Sequence, residues 1–206
     1  MPGFNAAFAG GVFVAELATS FLLLVLLRQT LRPSVLLLAN AYLYSALMAL
    51  AYLLTYVDAL IPGRALIGSP QTIPWIYNSW IVGFASLSFA AVLQEIMGGG
   101  GIMSQDEARR SAYLSSAVIL VIVAALVAVP ATMAERLPPL MEQHSWTLLN
   151  AAFNYGGVLM LAAGALTILL LMRSRSDLFL WLSLALVVIA LGNMLSAFGG
   201  GRYTVG

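Results

Sequence analysis

The sequence predicts an all-α, polytopic transmembrane bundle of six spans, and three observations carry that prediction. Of the 206 residues, 62% are hydrophobic and only 8% charged, where a soluble domain usually carries about 25% charge. A large soluble core does not account for the difference, because a folded chain of this size still exposes more than half of its surface area through atoms that water must solvate. The apolar residues also fall into six stretches, each near the roughly 20 residues that a helix needs to cross a hydrocarbon core of about 30 Å. Finally, Pro, Gly and Arg punctuate the intervals between those stretches.

Composition removes several kinds of chemistry. Cysteine is absent, which excludes disulfides, thiolate nucleophiles, iron–sulfur clusters and cysteine zinc sites. A single histidine excludes a histidine metal cage. The formal net charge is +1, so no strong field draws nucleic acid or steers a charged partner. There is no phosphate loop, dinucleotide fingerprint, zinc-protease motif or hydrolase triad. No catalytic residue, metal or cofactor is therefore assigned, and lipid contacts are expected.

Span one covers about residues 8–27 and stops at Arg28. It lacks a basic leader and contains Glu16, so it reads as a retained span and not a cleaved signal. An ionised carboxylate inside the bilayer is expensive; Glu16 faces the bundle interior, carries a proton or meets a donor. Span two, about 35–56, carries Tyr42, Ser45, Tyr52, Thr55 and Tyr56. Tyr42 and Tyr56 are expected in the aromatic belts at its two ends. Tyr52 lies deeper, and its hydroxyl must find a partner.

The loop at 58–73 is largely apolar between its Pro and Gly residues and is expected to lie across the bundle mouth. Span three, about 74–94, is expected to begin at Pro74, a favoured first helical position. It carries Asn78 and Trp80, and Asn78 reads first as an interhelical hydrogen bond and second as a ligand contact. Gly98–Gly101 forms a hinge. Ser104 and Glu107 then fit a capping box, which marks a helix start. Span four, about 112–129, is expected to end at Pro130. The following loop holds the lone histidine, His144, which reads as an interface residue.

Span five, about 147–172, places Asn150 and Asn154 on one face. On an adjacent face Ala152 and Gly156 form a small-xxx-small pair, and Gly164 lies deeper; both are expected to serve close helix packing. After the polar turn Arg173–Asp177, span six runs about 178–198 with Asn193 near its end. The candidate signal-binding or interhelical polar contacts are thus Glu16, Tyr52, Asn78, Trp80, Asn154 and Asn193. They line one small pocket, or they are scattered contacts between helices.

Arginine counts give an orientation. Arg28, Arg32, Arg109, Arg110, Arg173 and Arg175 fall in loops one–two, three–four and five–six, against Arg64, Arg136 and Arg202 on the other side. That bias predicts the first set as cytoplasmic, with both ends of this chain outside. The 206 residues are expected to form a single transmembrane domain.

The ordered series from Arg32-Pro33-Ser34-Val35 through Leu36-Leu37-Leu38-Ala39-Asn40-Ala41-Tyr42 to Leu43-Tyr44-Ser45-Ala46-Leu47-Met48-Ala49 resembles the fourth class of the MASE family, the bacterial membrane-associated sensor domains. The likeness continues at Leu53-Leu54-Thr55-Tyr56, at Gly68-Ser69-Pro70-Gln71-Thr72 and at Trp75-Ile76-Tyr77, Trp80 and Gly83-Phe84. It resumes at Leu137-Pro138-Pro139-Leu140, at Asp177-Leu178-Phe179-Leu180-Trp181-Leu182 and at Gly201-Arg202-Tyr203-Thr204-Val205-Gly206. The resemblance implies an inner-membrane input module of a bacterial signalling protein, usually joined to a histidine kinase or diguanylate cyclase output domain. It also implies that Tyr52 and Ile81 stand where family members typically carry histidines, and that a further span and an output domain usually follow the position of Gly206.

Three functions are compatible with these readings. The first is a non-catalytic sensory module. The second is an accessory or structural subunit of a membrane complex, packed against copies of itself or against other integral-membrane proteins. The third is proton-coupled transport through Glu16, although the sequence shows neither a repeated half nor an interrupted helix pair.

Overall fold

A computed structural model describes residues 2–57, 64–98, 101–142, 145–171 and 177–198. His144, the turn at 58–63, the middle of the glycine run, Arg173–Ser176 and the closing 199–206 lie outside the described residues. Six helices account for most of the rest: α1 Pro2–Thr30, α2 Pro33–Leu54, α3 Thr72–Met97, α4 Gln105–Met133, α5 Leu148–Leu171 and α6 Asp177–Phe198. All six contain a stretch long and apolar enough to cross a membrane. Between α4 and α5 lie a 3₁₀ turn, Ala134–Arg136, and two short antiparallel strands, β1 Met141–Glu142 and β2 Ser145–Trp146.

Helix α2 is the axis of the bundle. Buried residues make up 72% of its apolar stretch, against 17% for those of α1 and α4. Helices α1, α3 and α4 pack around it, α5 packs on the far side of α3, and α6 on α5. Small residues make this possible. Ala39, Ala41, Ala46 and Ala49 of α2 are almost wholly enclosed, and short side chains let helices approach closely where lipid provides no hydrophobic drive for association. The outward faces of α1 and α4, with Phe21, Leu22, Val118 and Val121 exposed, suit contact with acyl chains.

The ends of the helices follow local chemistry, with corrections to the sequence reading. The capping box at α4 is present: Glu107 N–H donates to Ser104 Oγ (3.2 Å), and Ser104 N–H donates to Glu107 Oε2 (2.8 Å). Helix α3 begins at Thr72 and not at Pro74. Pro74 still falls in the first turn, where its missing N–H costs no intrahelical bond. Pro130 does not end α4; the helix continues to Met133. A proline there removes a backbone donor and crowds the preceding turn. Thr72, fully buried, donates from Oγ1 to the Pro130 carbonyl at 2.9 Å and accepts the Ser69 N–H at 2.9 Å, which fastens the end of α4 to the start of α3.

Two expectations about packing also change. Ala152 and Gly156 face outward, and nothing lies within 4 Å of a Cβ built on Gly156. The close approach comes one residue later: Gly157 packs against Ile81 of α3, and Gly164, as expected, packs against Leu186 of α6. Tyr42 does not sit in an end belt. Its ring meets Phe84 edge-on at 5.4 Å inside the bundle.

The described part of the loop after α2 does fold back over the helix end. The N–H groups of Leu66 and Ile67 both donate to the Leu54 carbonyl, at 3.1 and 3.2 Å, and Ile67 packs on the apolar cluster around Trp80. Gly68 adopts a positive φ of 78° directly over Thr72, a conformation that residues with a Cβ rarely take. Gln71 then bridges to the next loop, donating from Nε2 to the Met141 carbonyl (2.6 Å) and accepting the Leu140 N–H (3.3 Å).

Candidate functional site

Glu16, Tyr52 and Trp80 converge at the junction of α1, α2 and α3. Ser45 of α2 is the link between them. Trp80 Nε1 donates to Ser45 Oγ at 2.5 Å, and the Ser45 side chain also hydrogen-bonds the Glu16 carboxyl. Since Oγ already accepts from the indole, the serine O–H is the group left to donate toward Glu16. The other carboxyl oxygen, Oε2, is enclosed and has no hydrogen-bond partner.

Above this link stand aromatic rings from α2, α3 and the turn after α2. The Tyr52 ring centroid lies 5.1 Å from Tyr56, 5.8 Å from Tyr77 and 5.9 Å from Trp80. These are separations of rings in contact, with edge and tilted geometries that aromatic quadrupoles favour. Helical spacing explains the convergence: Tyr77 and Trp80 are three residues apart and therefore share a face of α3. The Tyr56 hydroxyl donates to that of Tyr52 at 2.6 Å, which provides the partner that Tyr52 requires. The Tyr77 hydroxyl reaches Asn193 Oδ1 of α6 at 2.7 Å.

Asn78 and Asn154 belong to a separate cluster between α3 and α5. Asn78 donates to Asn150 Oδ1 at 2.6 Å and accepts from Asn154 Nδ2 at 3.0 Å; Asn154 also donates to the Asn150 backbone carbonyl at 3.1 Å. Asn78 and Asn150 are buried. The six residues selected from the sequence therefore divide into two groups. Glu16, Tyr52 and Trp80 meet through Ser45, with Asn193 attached through Tyr77, while Asn78 and Asn154 form an interhelical clamp. Sequence reasoning passed over Ser45 and Tyr77 as site residues and noted Asn150 only as a face-mate of Asn154. The periodicity Tyr77–Trp80 was the available signal; a serine in an apolar span carries none.

The positions where the resemblance implies histidines have different surroundings. Tyr52 lies within the aromatic cluster, whereas Ile81 fills space against Gly157 of α5.

A third polar group lies at the opposite end of α2 and α3. Glu95 of α3 accepts from Arg32 Nη1 at 2.7 Å and from the Ser34 hydroxyl. The carboxylate thus sits at the positive N-terminus of α2, where the helix dipole favours an anion. Next to it, the Met103 N–H donates to the Leu31 carbonyl at 2.9 Å, so the α1–α2 and α3–α4 connections are held together. Among the described residues, no three His, Asp or Glu side chains come together as a metal site. The chemistry on offer at the α1–α2–α3 junction is proton exchange and hydrogen-bond rearrangement.

A family model described as a membrane-associated sensor, integral membrane domain (MASE4) matches residues 1–206. No curated protein matches the chain. No solved structure matches it either.

Proposed function

We propose that this chain, which belongs to the MASE4 family of membrane-associated sensors, is the non-catalytic input module of a bacterial inner-membrane signalling protein. Its responsive element is the Glu16–Ser45–Trp80 link with the rings of Tyr52, Tyr56 and Tyr77. The observation that carries this reading is the bond from Trp80 to Ser45 beside Glu16, because it makes one polar contact common to three helices. A change in that contact alters the packing of all three at once. Helices transmit such changes as small rotations or shifts between discrete packings. The Arg32–Glu95–Ser34 clasp, at the far ends of the same helices, is where the displacement passes to an output domain. In this proposal loops one–two, three–four and five–six are cytoplasmic, and the aromatic cluster lies toward the outer side.

A second reading, an accessory subunit of a larger membrane complex, is favoured by the outward-facing Ala152 and Gly156 of α5. Small residues on an open helix face admit a neighbouring helix at close range. Intact-mass spectrometry of material extracted gently from native membranes separates the two. For the input module, the 206 residues occur within a chain heavier than 21.9 kDa that carries a signalling output domain, or bind such a domain reproducibly. A 21.9 kDa chain held in fixed stoichiometry with unrelated membrane subunits would instead establish the accessory role.

A further inference from the structure

We infer that the Glu16 carboxyl is a proton-binding site whose occupancy is read by the Ser45–Trp80 hydrogen bond. This deepens the proposal above and rests on that junction being the responsive element. Four enclosed side-chain atoms lack a hydrogen-bond partner among the described residues: Glu16 Oε2, Asn40 Oδ1, Trp75 Nε1 and Ser88 Oγ. Three of these belong to groups that carry no exchangeable charge. Glu16 Oε2 alone belongs to a carboxyl, and an enclosed carboxylate oxygen without a donor is costly in a bilayer. A proton removes the charge with no change in shape.

The surroundings offer no competing charge. No Arg lies within ion-pair distance of Glu16 among the described residues. From α2, the titratable group that faces it is the Tyr42 phenol. From α3, the nearest linked group is Trp80, which does not titrate; Tyr77 lies beyond it in the aromatic cluster, and Glu95 is engaged by Arg32 at the other end. Helix α4 presents the apolar Ile119 and Val123 to the cluster. Its ionisable residues, Asp106 to Arg110 and Tyr113, lie in the first three turns, with Glu135 and Arg136 past its end.

The readout follows from the shared serine. With Glu16 ionised, the Ser45 O–H donates to the carboxylate, and Ser45 Oγ is left to accept from the indole. A proton on Glu16 turns one carboxyl oxygen into a donor. The demand on the Ser45 O–H falls, and with it the polarity of the Trp80 N–H bond. Tyr52 and Tyr77, in contact with the Trp80 ring, receive any movement of the indole.

The test uses the full chain in lipid nanodiscs with Trp75, Trp146 and Trp181 replaced by phenylalanine, so that Trp80 is the remaining indole. Its emission is followed from acidic to mildly alkaline pH, together with the infrared band of a protonated carboxyl. The expected result is a one-proton transition in both signals that Glu16→Gln abolishes, that Glu16→Asp retains at a shifted midpoint and that Tyr42→Phe retains. Ser45→Ala should keep the infrared transition while removing it from Trp80 emission. A flat parent profile, or a transition that survives Glu16→Gln, overturns the inference. Either failure leaves the sensory reading standing, because the native-membrane mass measurement tests that reading without reference to protons.

Discussion

Gly83→Ala is expected to destabilise the bundle more than any other single-methyl addition. Gly83 of α3 lies directly beneath the Tyr44 ring, and a Cβ there would overlap Cε1, Cζ and the hydroxyl oxygen. The ring has no room to retreat: Tyr44 is 2% exposed, and its hydroxyl donates to the Ser79 carbonyl at 2.6 Å. Either the phenol leaves its acceptor or α2 and α3 move apart. Overpacking of this kind costs about 1–3 kcal/mol, and for a chain of this length each kcal/mol lowers the unfolding midpoint by roughly 2–4 °C. Thermal unfolding of the purified chain in detergent measures the loss. Tyr44→Ala removes the obstacle at the expense of a cavity, so the two substitutions should be strongly non-additive, with a coupling of about 0.5–3 kcal/mol. Simple additivity would mean that Gly83 does not set the distance between α2 and α3.

Asn78→Ala should have the second-largest effect. It takes the donor from Asn150 Oδ1 and an acceptor from Asn154 Nδ2 in one step. Interhelical hydrogen bonds in membranes contribute about 0.6–2 kcal/mol each, and a buried group left unpaired costs about 1–3 kcal/mol. The expected fall in stability is therefore about 1–3 kcal/mol, read as a lower unfolding midpoint. Removing the orphaned partner should restore part of it: the Asn78→Ala, Asn150→Ala double variant should be less destabilised than the sum of its parts. An unchanged midpoint for Asn78→Ala would show that the asparagine cluster does not hold α5 against α3.

The architecture was largely legible in the sequence because one physical signal dominates a membrane chain. Runs of apolar residues near bilayer length define the helices, and the Ser104–Glu107 pair fixed the start of α4. The errors occurred where tertiary contacts override local rules. Pro130 breaks helices by its own chemistry, yet Thr72, 58 residues away in sequence, stabilises the turn around it. Gly156 and Gly157 are indistinguishable as letters; only the rotation of α5 against α3 decides which one packs. The polar inventory was visible, but its division into two clusters was not, since that depends on which face of α3 meets α2 and which meets α5. Trp80 and Asn78, two residues apart, point to different neighbours.

The proposed signalling role requires the aromatic end of the bundle to face outward and the Arg32–Glu95 end to face the cytoplasm. Because the chain has no cysteine, single cysteines report sidedness without background. Ser69 lies in the exposed loop before α3, and Gln105 is exposed at the start of α4. In intact cells, a membrane-impermeant maleimide should label Ser69→Cys, and should label Gln105→Cys only after permeabilisation. Labelling of Gln105→Cys but not Ser69→Cys in intact cells would invert the bundle, place the Glu16 cluster toward the cytoplasm and contradict the proposed direction of signalling.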